Sequence, residues 1–442
     1  MSESYAGYSV YYYGSGGGQG MAGRIVDLGD DAVACTPDIK AGLNGDPKVE
    51  GVALSGSNLD LVVTDYVSAT NRPVYVYDVV NPGTPPTPEH TITPGWTNVD
   101  NLYSLVKLGS YLYAIDYDNA RVVEIDPSTY QQTGLSYTLA SGFVPSGTVA
   151  RGQALIVIGS TLFGLFTFCN SSWTTWANSL LVRFTVVPGT GGSISIADTT
   201  TEKAYNANIA PNAFAMDVSG SNLYIASIGG AQGSSGTPNS ASRLQSIAYG
   251  TTMLNGATVT DVMKPTTAGG TYPYEFRDIS FNGSTAYVLM GTYNSSWNLA
   301  GLLVKTTDFT TFTTVNSFSG GASGYFWTAQ YTSDNSRIWF VRGNQILVYD
   351  ATDDTVDATL TLSADSLIST GELYDNINDF TYVGAYSSTV GKTMRGYRSP
   401  LQASRSPRAV ALRAITKGRP EATPEEIAQA DAIVAKAVKG RK

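Results

Sequence analysis

One short phrase recurs along the chain and limits what it can fold into. It is clearest in VSGSNLYIAS at 218–227, where an apolar run enters a Gly-Ser pair and leaves as a second, aromatic-bearing run. Copies stand at LSGSNLDLVV (54–63), LGSYLYAID (108–116), IGSTLFGLF (158–166) and FNGSTAYVLM (281–290), with a glycine-free version in TSDNSRIWFV (332–341). From Gly56 through Gly109, Gly159, Gly220 and Gly283 to Asn335 the steps are 53, 50, 61, 63 and 52 residues. Short strands repeated at a period near fifty, with no helical spacing between them, predict a repeat architecture.

Each unit reads as four short strands. One such sheet cannot bury both its faces, but radial stacking buries them against its neighbours. Six units are predicted, at about 46–97, 98–147, 148–210, 211–272, 273–322 and 323–366. Strand material remains at both ends: YSVYYYG (8–14), GRIVDLG (23–29) and DAVAC (31–35), and beyond the repeats DFTYVGAY and TMRGYR. GSGGGQG, between the first two, reads as a flexible stretch. The expectation is an all-β propeller of four-stranded antiparallel blades, with a seventh closed jointly by the two ends so that no sheet edge stays open. Six blades is the alternative count. A parallel β-helix is disfavoured because its repeat is about half this length.

NQILVYDATDDTVDATLTL (344–362) in the sixth unit, and more loosely ARVVEIDPSTYQQTGLSYTL (120–139) in the second, resemble the YVTN-type propeller repeat. The resemblance covers roughly a tenth of the chain. It implies a propeller of the broad class that includes surface-layer proteins, quinoprotein-like sensors and lactonase-like enzymes, and it brings no catalytic set. The tryptophan-docking, Asp-box and Trp-Asp motifs of other propellers are not found.

Composition narrows the function classes. Charged residues make up 14% of the chain and the net charge is −9, so the body offers no basic face for nucleic acid. A surface of hydroxyls and amides suits an extracellular or cell-surface protein, with a virion protein as the alternative; no secretory signal is visible and no apolar run is long enough for a transmembrane segment. The only histidine, His90, excludes multi-histidine metal sites and reads as an ordinary loop residue in a proline-rich stretch. Cys35 and Cys169 read as free thiols rather than a bridge. Asp350, Asp353, Asp354 and Asp357 invite calcium, but without a full D-x-D-x-D-G loop solvated turns are preferred, so no cofactor is expected.

If the Gly-Ser turn joins the first two strands of each blade, the long loops gather on the opposite face. That face is predicted to carry Trp96, Trp173, Trp176, Trp297 and Trp327 with Asp217, Glu275 and Asp278 at the starts of inner strands. Indoles stack and carboxylates accept hydrogen bonds, so such a mouth suits sugars, peptides or cations, a glycan among them. The preferred reading of loop tryptophans is nevertheless packing on the adjacent blade.

Residues 1–400 form the predicted propeller, and 401–442 a different, basic tail: nine Lys/Arg and four Asp/Glu, against 18 and 32 before it. Thr423-Pro-Glu-Glu is a capping box, and Ile427, Val434 and Val438 lie on one apolar stripe, predicting a short α-helical extension that docks on the body, on a protein partner or on another copy of the chain. The leading functional expectation is a non-catalytic extracellular, surface or virion structural protein that self-assembles. The alternative is a propeller hydrolase or lyase, lactonase-like or glycoside-cleaving, acting at the central mouth.

Overall fold

The computed structural model describes residues 4–14, 17–27, 33–43, 46–55, 58–66, 72–83, 85–93, 95–231, 236–293, 299–318, 327–332, 336–342, 345–361, 376–385 and 397–398. Within them the chain is a seven-bladed β-propeller. The innermost strands of blades one to six are Asp46–Ser55, Leu102–Leu108, Val149–Ile158, Ala213–Ser219, Phe276–Asn282 and Trp327–Thr332. Each opens a four-stranded antiparallel meander; blade three adds Tyr205–Ile209 beside its third strand. The sheets coincide with the units read from the repeat phrase.

The seventh blade is built from both ends of the described chain. Its strand order is Val33–Leu43, Gly17–Asp27, Ser4–Gly14, Asn376–Ala385 and Tyr397–Arg398. Asn376–Ala385 takes the innermost full-length place, and Tyr397–Arg398 lies inside it, near the inner strands of blades two and six. The described part of the stretch expected to be flexible, Gly14 and residues 17–20, is strand: Tyr11 pairs with Gly20, Tyr13 with Gly18 and Gly14 with Gly17. Ladder hydrogen bonds are made by backbone, so glycines are carried wherever the partner strand fixes the register. The basic tail and its Ile427, Val434 and Val438 stripe lie outside the described residues, so the predicted helical extension is not supported by the observed fold.

Apolar residues facing across every blade boundary hold the ring. Trp339, Val341, Ile346 and Val348 of blade six meet Ala6, Tyr8, Ile377 and Phe380 of the closing blade. On its other side Tyr5, Ala22 and Val383 meet Val49, Leu59 and Leu61 of blade one. The remaining boundaries are filled the same way.

The repeat phrase is a two-residue hairpin. Gly109, Gly159, Gly220 and Gly283 all have φ between 57 and 60°, while the serine after each is not left-handed. Positive φ at the first central residue alone is the pattern of a type II′ turn, which explains the glycine. A side chain there would meet no neighbour, so the requirement is purely conformational.

Gly220→Val and Gly283→Val should each lower stability in urea by about 1–2 kcal/mol, the cost of a left-handed conformation for a residue with a Cβ. Deleting residues 1–27 should abolish soluble expression, because it strips two strands from the closing blade and bares the edge of Asn376–Ala385. A soluble, fully β truncation would show that the ring closes without them.

Candidate functional site

Four of the inner strands carry a β-bulge at one shared position. Pairing with the second strand skips Tyr103, Gln153, Phe214 and Arg277, each six residues before the turn glycine. A bulge leaves one residue out of the ladder and re-aims its side chain, and here it recurs where the inner strands open onto the loop face around the channel. Eight residues before the turn glycine stand Lys48, Asn101, Arg151, Asn212 and Glu275. The repeat therefore places polar and aromatic residues at equivalent positions of successive inner strands, most of them buried.

Across blades one to three these residues form one continuous run. Lys48 Nζ lies 5.8 Å from the Tyr103 ring. Tyr103 stacks on Tyr117 with ring centres 4.1 Å apart. The Arg151 guanidinium sits 5.4 Å from the Tyr117 ring and 4.8 Å from Trp173, which themselves lie nearly parallel at 6.0 Å. Trp173 meets Trp176 edge-on, also at 6.0 Å. Arg151 Nη1 bonds the Asp118 carboxylate at 2.7 Å. Trp173 itself has φ 59°, an uncommon conformation for a bulky residue, in a loop tied by Asn170, whose Oδ1 accepts from the backbone N–H groups of Thr174 and Thr175.

The run contains polar groups that the protein does not satisfy. Arg151 Nε and Trp176 Nε1 are buried donors with no oxygen or nitrogen acceptor, and Asn101 Oδ1 and Thr167 Oγ1 are buried without partners. Thr167 lies directly across the sheet from Arg151. Buried polar groups are normally paired, so these four set this region apart. Burial pushes the Cys169 thiol up, against the opposing influence of Arg151, so this thiol is protonated near neutrality. Burial likewise raises Asp116, whose carboxylate accepts from Asn101 N and Asn119 Nδ2.

The blade-five equivalent is different. Arg277 donates to Glu275 Oε2 at 2.9 Å and to Gly291 O at 3.0 Å, beside the Tyr293 ring. Glu275 Oε1 accepts from Asn239 N at 3.0 Å; burial raises this carboxyl while Arg277 lowers it. Both carboxylate oxygens are engaged and the pair is almost wholly buried. It is a structural ion pair.

Of the sequence-predicted residues, Trp173 and Trp176 belong to the run. Trp96 does not reach the loop face as expected: it is buried between blades one and two, with Nε1 donating to Tyr130 O at 2.8 Å. Asp217 and Asp278 join blades instead of lining a site. Asp217 Oδ2 accepts from Phe281 N, and Asp278 Oδ2 from Thr328 Oγ1 and Ala329 N. Trp297 lies outside the described residues; Trp327 opens the inner strand of blade six. Asp350 and Asp353 cap their own turn through Thr352 N and Thr355 N, and no cluster of metal-ligating side chains occurs among the described residues. Sequence reasoning missed Lys48, Tyr103, Tyr117 and Arg151. For Lys48, Tyr103 and Arg151 the signal was available in the constant spacing to the turn glycine; Tyr117 carried none.

No protein-family model and no curated protein matches the chain. Among solved structures it resembles a candidate 6-phosphogluconolactonase from Bacteroides fragilis, with 12% identity, a TM-score of 0.51, and coverage of 80% of this chain and 93% of that one. A second candidate 6-phosphogluconolactonase, from Bacteroides uniformis, shares 11% identity over 89% and 98% of the two chains at a TM-score of 0.47. The periplasmic gluconolactonase of Pseudomonas aeruginosa shares 12% over 90% and 100%, also at 0.47. At such identities the likeness establishes the propeller. The leading functional expectation, a non-catalytic structural protein, is corrected on this point: the solved structure matched at a TM-score of 0.51 is described as a candidate 6-phosphogluconolactonase, the class of the stated alternative. Among the described residues no helix is long and apolar enough to cross a membrane.

The two kinds of tryptophan should separate in denaturation experiments. Trp173→Ala, at a residue 43% exposed, should change stability by no more than about 0.5 kcal/mol. Trp96→Phe should cost about 1–2 kcal/mol by leaving the Tyr130 carbonyl unpaired. Asp278→Ala should cost about 3 kcal/mol, since it orphans buried donors on two blades.

Proposed function

We propose that the chain is a lactonase-like hydrolase acting at the channel mouth on a small anionic cyclic ester. The observation that carries this reading is the Arg151 guanidinium, held against the Tyr117 and Trp173 rings and bonded to Asp118, with a buried Nε that no oxygen or nitrogen accepts from. An arginine fixed in this way is already oriented to bind a carboxylate or phosphate, so little conformational freedom is lost on binding. The exposed Trp173 ring suits the flat C–H face of a sugar ring. Lys48, further along the same run, adds a second positive charge.

The reaction asks little more of the protein. Water adds to the lactone carbonyl carbon, the ring C–O bond breaks, and the proton lost by water ends on the released alkoxide oxygen. Asp118, on the same guanidinium, is the carboxylate positioned to carry that proton. The glycoside-cleaving branch of the alternative has less support. Asp217, Glu275 and Asp278, the carboxylates predicted for the mouth, are engaged by backbone N–H groups or by Arg277. The 6-phosphogluconolactonase-like neighbour makes a phosphorylated sugar lactone the first substrate to try. An extracytoplasmic setting goes with the low proportion of charged residues.

The test is hydrolysis of gluconolactone with and without a 6-phosphate, followed by acid release above the spontaneous rate. The wild type should accelerate the phosphorylated lactone. Arg151→Ala should lower its kcat/KM roughly tenfold to a hundredfold, mainly through KM, the scale of one lost charge-assisted contact. Asp118→Asn should act mainly on kcat. A wild type that adds nothing to the spontaneous rate of either lactone overturns the proposal.

A further inference from the structure

On the face opposite the mouth, a cleft of about 420 Å³ opens between blades one and two, beside the Gly109-Ser110 turn. Asp60, Glu89, His90, Lys107 and Tyr130 line it. Asp60 is only 1% exposed. Its Oδ2 accepts a hydrogen bond of 2.5 Å from the Tyr130 hydroxyl, while its Oδ1, also buried, has no hydrogen-bond partner. A buried carboxylate oxygen without a donor is costly unless something from outside supplies one.

The surroundings hold this carboxylate in place. Tyr130 comes from the neighbouring blade in a left-handed conformation, φ 53°, with its carbonyl anchored by Trp96 Nε1 and its N–H bonded to Asp126 O. Residues in such conformations persist only where the surrounding structure over-determines them, and they cluster at functional sites. The His90 ring lies 5.4 Å from the Tyr130 ring. Glu89 on the rim and Asp78 on the adjacent strand add negative charge toward Asp60. Lys107 is turned to the Leu54 carbonyl.

We propose that this cleft is a second ligand site, separate from the mouth, that takes a small organic cation whose primary ammonium donates to Asp60 Oδ1 while its carbon chain packs on Tyr130 and His90. Three carboxylates against one lysine favour a cation, and an aromatic face stabilises it further. The missing donor calls for an N–H group, which a quaternary ammonium lacks.

The inference goes beyond the lactonase reading and does not depend on it. Burial is the main cause that raises the Asp60 carboxyl to about 6; Tyr130 opposes the shift, and Glu89 and Asp78 add to it. Below that value Asp60 is neutral, and above it the ionised form pairs with the ammonium, which stays protonated throughout.

Isothermal titration of the wild-type protein with propylammonium chloride tests the site, with tetramethylammonium chloride and propan-1-ol as controls. Propylammonium should bind saturably and roughly tenfold more tightly at pH 7 than at pH 5, following ionisation of a group near 6. The controls should bind at least tenfold more weakly, and Asp60→Asn should remove both the binding and its pH dependence. Glu89→Gln, at the exposed rim, should weaken it a few-fold without disturbing the fold. The proposal fails if the three probes bind alike, if none binds saturably, or if affinity is flat between pH 5 and 7. Should Asp60→Asn not fold, the wild-type pH dependence and the tetramethylammonium control decide the matter.

Discussion

The structure depends on one strand pair, Ser4–Gly14 against Asn376–Ala385, which joins segments from opposite ends of the chain. Each of the other blades is a local meander that forms its ladder from consecutive strands. None of them can bury both faces alone, and a linear stack of six would leave an apolar face at each end. The joint blade covers both at once, against Trp339 and Val348 on one side and Val49 and Leu61 on the other. Loop-closure entropy grows only slowly with the length of the loop, so even this long closure costs a few kcal/mol against two extensive apolar interfaces.

Once the ring is closed, neighbouring inner strands lie close enough for side chains of one to bond the backbone of the next. Gly51 N donates to Thr381 Oγ1 across the closing boundary, and Phe281 N and Ala329 N donate to Asp217 and Asp278 further round. A Cβ on Gly51 would stand 2.8 Å from the Tyr382 carbonyl, and one on Gly152 would stand 2.5 Å from that of Asp116. The same closeness that fastens the blades removes these carboxylates from chemistry. What remains chemically unsatisfied at the mouth is the Arg151 side, because the Trp173 loop covers the guanidinium without supplying an acceptor for Nε.

The contrast between Arg151 and Arg277 shows how a repeat fold separates structure from function. Both stand near the start of an inner strand, each with an aromatic ring beside it and a carboxylate bonded to it. Arg277 has its donors directed at Glu275 and Gly291, so its charge is neutralised within the blade. Arg151 faces a loop tryptophan and a half-buried aspartate. The same region of the inner strand carries an arginine in both blades, at positions two residues apart relative to the turn glycine, and the partners around each decide how it is engaged.

Much of the architecture was legible in the chain. The turn glycines marked the hairpins because a type II′ turn demands positive φ from one residue, and the spacing of those turns marked the blades. Surplus strand material at both ends pointed to a joint seventh blade, because an open sheet edge is unfavourable wherever it occurs. The site was less legible. Trp96 and Trp173 are both loop tryptophans in the sequence, and only three-dimensional packing buries one and exposes the other. Asp60 and Tyr130 lie 70 positions apart and meet only because blades one and two stack in register. Local backbone chemistry is written residue by residue, whereas burial, the pairing of charges and the presence of an unsatisfied donor are properties of surfaces that exist only after the blades have come together.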